Sequence, residues 1–233
     1  MMMTSAAARR ERDAEVTRLS ILDAAEQVFA ANGFDGARID AIAELSGYNK
    51  SLIFHYFEDK LGLYTEVMRR ADNEMSVMQA RVLVPLLSDE TILNNPRAFK
   101  RSLETIVGAT FDYLADHPRL MRMLVWEQAE NWQTYAKIIT RFNTDDAEPF
   151  RAFFQKARRA GLLRFDFDPL IQLTLVLQIC ISYLTYIPLL QMVQGMLGPG
   201  EDLSSPAALV RAREYIVAFV VHGMMIDFPQ TES

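Results

Sequence analysis

A chain of 233 residues, half of them hydrophobic, is long enough to bury a sizeable core, either as one large helical domain or as a small head with a larger body. Its formal net charge of -6 excludes a protein that coats nucleic acid by bulk charge, and leaves any such contact to local charge. The single cysteine, Cys180, excludes an intrachain disulfide framework and fits the reducing cytoplasm.

Residues 1–12 carry small side chains with Arg9, Arg10 and Arg12, but no apolar stretch, so a signal peptide is not expected. Residues 1–10 read as a disordered basic arm. The first ordered element is expected from near Glu11 to Ala31, because Leu19, Leu22, Ala25, Val28 and Phe29 recur at three and four residues. Asn32-Gly33 closes it with a pair that tolerates left-handed backbone, and Phe34 packs back behind the cap.

Ile39, Ile42 and Ala43 then fall at helical spacing, Ser46-Gly47-Tyr48-Asn49 interrupts, and Leu52, Ile53, Tyr56 and Phe57 begin a second short helix. The pattern is helix, tight turn, helix. Gly47 suits the positive φ of such a turn, and Asn49 is a good N-cap for the helix that follows. Lys50 stands in a stretch from Ser46 to Phe57 without an acidic residue, and Phe54-His55-Tyr56-Phe57 puts aromatic rings on all sides of a short helix. An αα-hairpin in an ordinary helical core is the competing reading, but a pure core has no need of that ring of aromatics.

Glu58-Asp59 signals the start of a helix from Lys60 to about Arg81, with Leu61, Tyr64, Val67, Met68, Met75 and Met78 on its inner side, and Pro85 with the Ser88–Asn95 stretch forms a break. Asn95-Pro96 pairs an N-cap with proline at the first helical position, and opens a helix to about Asp116 with Phe99, Leu103, Ile106, Val107, Phe111 and Leu114 as its stripe. A further helix is expected from Leu120 to near Asn131. Tyr135 to Ala160 forms one helix or two, divided at Pro149, with Gly161 as the C-cap.

Asp168-Pro169 opens a run to Gly200 without a charged side chain, long enough to raise a membrane span. Gln172, Gln178, Gln191 and Gln194 recur through it, Pro188 interrupts it, and no basic flank accompanies it. A helix buried by its own body and by a partner subunit accounts for the composition better, and no membrane partner is expected. Ser205-Pro206 begins a last helix with Leu209, Ile216, Val217 and Val220. Two terminal helices with wide apolar surfaces suggest a homodimer closed by a four-helix bundle.

Taken together, Ala24-Ala25, Phe29, Gly33-Phe34, Ile39, Ile42-Ala43, Ser46-Gly47-Tyr48-Asn49-Lys50, Ile53-Phe54-His55-Tyr56-Phe57 and Lys60-Leu61 resemble the N-terminal DNA-binding domain of the TetR family of one-component bacterial regulators. The resemblance covers about the first third of the chain. It implies an all-α fold: a three-helix helix-turn-helix head over residues 11–59, then a helical effector-binding and dimerisation body over 60–233. It also implies that Asn49, Lys50, Ser51 and Leu52 start the recognition helix. Lys50 then donates to guanine O6 and N7, Asn49 or Ser51 bonds a base or phosphate, and Phe54 packs on a thymine methyl. His55, Tyr56 and Lys60 are expected on phosphates. Two positions depart from the family. Arg38 stands where threonine or serine commonly caps the first motif helix, which points it to a phosphate, and Phe54 replaces a usual tyrosine.

The expected function is a dimeric, sequence-specific transcriptional regulator, a repressor that a small-molecule effector releases from a palindromic operator. The alternative is a helical small-molecule-binding or scaffolding protein that reads no specific DNA. No glycine-rich phosphate loop, nucleophile elbow or metal-spaced His/Cys/carboxylate set is present, so neither enzyme activity nor a cofactor is expected. Met75, Met78, Met121, Trp126, Tyr135, Phe142, Phe153, Phe154, Tyr183 and Tyr186 are the candidate effector-site residues, and their chemistry suits a hydrophobic or aromatic effector.

Overall fold

The computed structural model describes residues 3–141, 147–164, 168–198 and 200–226. Ten α-helices account for most of them: α1 Met3–Gly36, α2 Ile39–Ser46, α3 Lys50–Phe57, α4 Lys60–Ser88, α5 Pro96–Asp116, α6 Pro118–Ala129, α7 Tyr135–Ile138, α8 Ala147–Arg159, α9 Pro169–Leu197 and α10 Pro206–Met224. No strand occurs among the described residues, only an isolated antiparallel bridge between Leu163 and Met225. The all-α expectation is met.

Two compact units divide the chain, one of residues 1–74 and 118–142, the other of 75–117 and 143–233. The first contains the head but is larger than the expected 11–59. It takes in the start of α4 together with α6 and α7, because α6 lays its apolar side along α1. Its core is built from Ile21, Leu22, Ala25 and Phe29 of α1, Ile42 of α2, Ile53 and Phe57 of α3, and Leu63, Tyr64 and Val67 of α4, all buried. Phe29 and Phe34 both meet the Tyr64 ring edge-on, at centroid distances of 4.9 and 5.2 Å. Phe34 can fold back in this way because Gly33, at φ 69°, breaks the helix just behind it, at the closure expected for Asn32-Gly33. On the outer side, Arg70 of α4 pairs with Asp23 and Glu26 of α1, and Arg18 pairs with Glu66.

In the second unit α5 is the central helix. Phe99, Leu103, Ile106, Val107, Phe111 and Leu114 are all buried along the expected stripe, and α9 and α10 pack against it. Phe99 touches Phe153 of α8 and Phe111 touches Tyr183 of α9, with centroids 5.8 and 6.2 Å apart. Gly108 leaves room for Arg213 of α10 to cross α5 and reach Asp112, its Nε donating to the two carboxylate oxygens at 2.7 and 2.9 Å.

Three local expectations are revised. Residues 3–10, read as a disordered arm, continue α1 back to Met3; Ala6-Ala7-Ala8 followed by arginines is a strong helix-forming run. Pro85 does not end α4, which runs on to Ser88. Pro188 likewise lies inside α9 rather than interrupting it.

Candidate nucleic-acid interface

The two motif helices meet through a turn set by two residues. Gly47 closes α2 at φ 76°, its N–H donating to the Ala43 carbonyl at 3.0 Å. Asn49 opens α3, its side-chain oxygen accepting from the Leu52 N–H at 2.9 Å. Arg38 sits at the N-cap of α2 but makes no capping hydrogen bond with its side chain, so its guanidinium remains exposed.

Burial of Ile53 and Phe57, at 0% and 3% exposure, sets the rotation of α3. With those two facing inward, Asn49, Lys50, Ser51, Phe54 and His55 are exposed, and Leu52 and Tyr56 are half-buried. An exposed Phe54, 41% accessible, is what contact with a partner surface needs and what a simple core hairpin would avoid. The His55 and Tyr56 rings lie edge to face at 5.7 Å.

Two cations have partners that local sequence does not announce. Lys50 Nζ lies 2.5 Å from Asp40 Oδ1 on α2, although its own stretch of chain is free of acids. Lys60 Nζ donates to the Asp35 carbonyl at 3.2 Å and sits 4.7 Å over the Phe34 ring, tying the end of α1 to the start of α4. Asp59 accepts from the Gly62 N–H at 2.7 Å and so caps α4.

The head is braced from behind by α6 and α7. Trp126 Nε1 and Arg122 Nε both donate to the Ala30 carbonyl, at 3.2 and 3.1 Å. Glu127, 1% exposed, accepts from the Tyr64 hydroxyl at 2.7 Å and from the Tyr135 N–H at 3.0 Å. Burial, reinforced by the Glu127 carboxylate, pushes the Tyr64 hydroxyl far above the usual phenol range. The sequence reading missed both Asp40 and Glu127. Asp40 lies within the helix-turn-helix stretch and Glu127 outside it, but their partners are ten and sixty-three residues away.

The ten effector candidates are distributed over both units. Met121, Trp126 and Tyr135 belong to the unit that carries the head; Met75, Phe153, Phe154, Tyr183 and Tyr186 belong to the other. Phe153 and Phe154 are buried against each other with centroids 5.6 Å apart, whereas Tyr186 is 56% exposed. The Met78 side chain and the whole of Phe142 lie outside the described residues. A surface cleft near the end of α9, lined by Gln191, Gln194, Glu201 and Asp202 among others, contains none of the ten.

Comparison with known proteins agrees with this arrangement. Residues 21–67 match the family described as bacterial regulatory proteins, tetR family, and residues 100–220 match a tetracyclin repressor-like C-terminal domain. The HTH-type transcriptional repressor SCO4008 of Streptomyces coelicolor is 34% identical over 119 residues, covering 51% of this chain and 53% of that protein. The HTH-type transcriptional repressor NicS of Pseudomonas putida is 29% identical over 126 residues, covering 54% and 55%. The chain therefore spans about half the length of the curated relatives it matches. Among solved structures, SCO4942 from Streptomyces coelicolor superimposes with a TM-score of 0.60 at 25% identity, covering 89% of this chain and 98% of that one.

Proposed function

The chain belongs to the tetR family of bacterial regulatory proteins, and from that premise we propose that it is a dimeric, sequence-specific DNA-binding repressor, released from a palindromic operator by a small molecule. The family is regulatory and not enzymatic, and the chain is not an enzyme. The observation that carries the reading is the outward face of α3. Asn49, Lys50, Ser51, Phe54 and His55 stand exposed while Ile53 and Phe57 anchor the same short helix in the core. A major groove admits a helix of that kind, with Lys50 suited to guanine and Phe54 to a thymine methyl.

Arg38, His55 and Tyr56 are assigned to phosphates, with Lys60 as a weaker candidate because its ammonium already holds the Asp35 carbonyl. Repression is the direction favoured, since SCO4008 and NicS are both named repressors. The cytoplasm, where the chromosome lies, is the location that goes with it.

A single head reads few base pairs, so useful affinity requires two recognition helices about 34–36 Å apart. Large apolar side chains exposed along α9 and α10 support a homodimer: Ile171, Leu175, Met192 and Met196 on the first, Val210, Tyr215 and Phe219 on the second. Their burial in a four-helix bundle also accounts for an uncharged α9 that is hydrophobic enough to cross a membrane by length and composition, yet only 28% buried over its most apolar window. Release follows if an effector, taken as hydrophobic or aromatic, binds one setting of the unbroken helix α4 better than another.

Selection of random duplex DNA on the purified protein, followed by titration at two salt concentrations, tests the reading. Recovery of a palindrome bound far above competitor DNA is expected, and Lys50→Ala or Tyr56→Ala should weaken that binding while the fold and dimer persist. A folded dimer that selects no site would instead favour a binding module without specific DNA contacts.

A further inference from the structure

The ion pair between Lys50 and Asp40 is not needed to hold the head together. Both side chains are more than half exposed, at 52% and 60%, and such pairs contribute only about 0–1 kcal/mol. Asp40 lies in the first turn of α2, where a carboxylate is welcome beside the helix N-terminus, but many positions in that turn would serve as well. What distinguishes Asp40 is its neighbour. With the two groups 2.5 Å apart, the Lys50 ammonium and the Asp40 carboxylate can approach one base pair together.

At a DNA surface an isolated carboxylate is repelled by phosphates, so its presence next to the principal cation of the recognition helix calls for a compensating contact. The floor of the major groove offers one. A G·C pair presents guanine O6 and N7 as acceptors, with the cytosine N4 amino group as a donor directly beside O6. Those two groups are themselves hydrogen-bonded, hence about 2.9 Å apart. A donor and an acceptor held 2.5 Å apart match that adjacent acceptor and donor. T·A also sets an acceptor, O4, beside an amino group, N6, but it carries a methyl group where guanine offers Lys50 the second acceptor N7, and that difference selects G·C.

We infer that Asp40 and Lys50 act as one composite reader of a single G·C pair in each half-site, with Lys50 donating to guanine and Asp40 accepting from the cytosine amino group. Asp40 is thus a specificity-determining residue outside the recognition helix. In free protein the pair neutralises the only full positive charge between Ser46 and Phe57. On a wrong sequence that charge stays masked and the carboxylate faces phosphate or an unmatched base, so non-specific binding is held down. The inference rests on the regulator reading, and adds to it a base identity and a second residue.

The test is random-duplex selection with the full chain, as wild type, Asp40→Ala and Lys50→Met, together with salt titrations on the competitor DNA. Wild type should enrich a G·C pair at one position of each half-site. Asp40→Ala should keep the palindrome but lose about tenfold of the preference at that position. It should also bind competitor DNA more tightly, with a salt slope steeper by about one. Lys50→Met should lose preference at the same position. Since both side chains are exposed, far-UV circular dichroism should be unchanged in each variant. If wild type selects a palindrome that Asp40→Ala reads identically, or if the two variants lose different positions, the inference is overturned and the regulator reading stands. If wild type selects no site, both fall.

Discussion

Glu127 shows how much a single buried group can organise. Its two oxygens satisfy the Tyr64 hydroxyl and the Tyr135 N–H inside a packed unit, so removing the carboxylate strands two donors rather than one. Glu127→Ala is expected to lower the stability of the head by about 2–3 kcal/mol, read as a shift in urea midpoint, and Glu127→Gln by less because it keeps acceptor capacity. An unchanged midpoint in the alanine variant would mean that water replaces the lost contacts. Cys180 is the opposite case, a reactive type made inert by its surroundings. It is fully buried, and that burial, with Asp112 adding to it, pushes the thiol up to about 12. Because the thiolate is the nucleophile, a raised pKa means that essentially none exists at pH 8. Iodoacetamide should therefore fail to label the native protein at that pH and label it fully in urea; native labelling would contradict the burial of α9 against its neighbours at this residue.

Among the elements, the motif helices owe their form to short-range chemistry. Asn49 supplies an acceptor to α3 at the point where the helix has none of its own, and Asn49→Ala should cost about 1 kcal/mol, whereas Asn49→Asp should cost little. Thermal unfolding of the two variants side by side checks this, and equal losses would point to a role other than capping. Gly47 is set at φ 76° with open space where a side chain would be, so the cost of Gly47→Ala comes from backbone conformation alone, about 1 kcal/mol. These features were legible because each depends on residues within four positions of one another. The continuation of α4 through Pro85 was not, since proline disfavours a helix interior and α4 nevertheless runs three residues past it.

For the whole molecule the open question is assembly. Tyr215 and Phe219 stack with their rings 6.2 Å apart while remaining 71% and 60% exposed, an arrangement more suited to a covered surface than to water. If the proposed dimer closes over this surface, Tyr215→Glu combined with Phe219→Glu should yield a monomer in size-exclusion chromatography with light scattering where the wild type runs as a dimer. Operator affinity should fall with it, because one head alone makes half the contacts. Helical content should be retained, as neither side chain belongs to the core of its unit. A variant that remains dimeric would move the interface elsewhere on α9 and α10.

The chain announced most of its helices and its caps on its own, because hydrophobic period, N-cap residues and left-handed turns are set by interactions along a few consecutive residues. Ile53 and Phe57, four residues apart, fall on one side of α3, with Ser51 and His55 opposite them, once the helix is granted. What remained for the tertiary structure was pairing at long range. Trp126 binds the end of α1 from ninety-six residues away and draws α6 into the head unit, a division that no composition shift marks. Asp40 meets Lys50 only after the turn at Gly47 has folded α2 against α3. Of the aromatic and methionine residues proposed for an effector site, Met121, Trp126 and Tyr135 fall in one unit and Met75, Phe153, Phe154, Tyr183 and Tyr186 in the other. An apolar stripe states that it will be buried, while the choice of what buries it belongs to the packing of the folded chain.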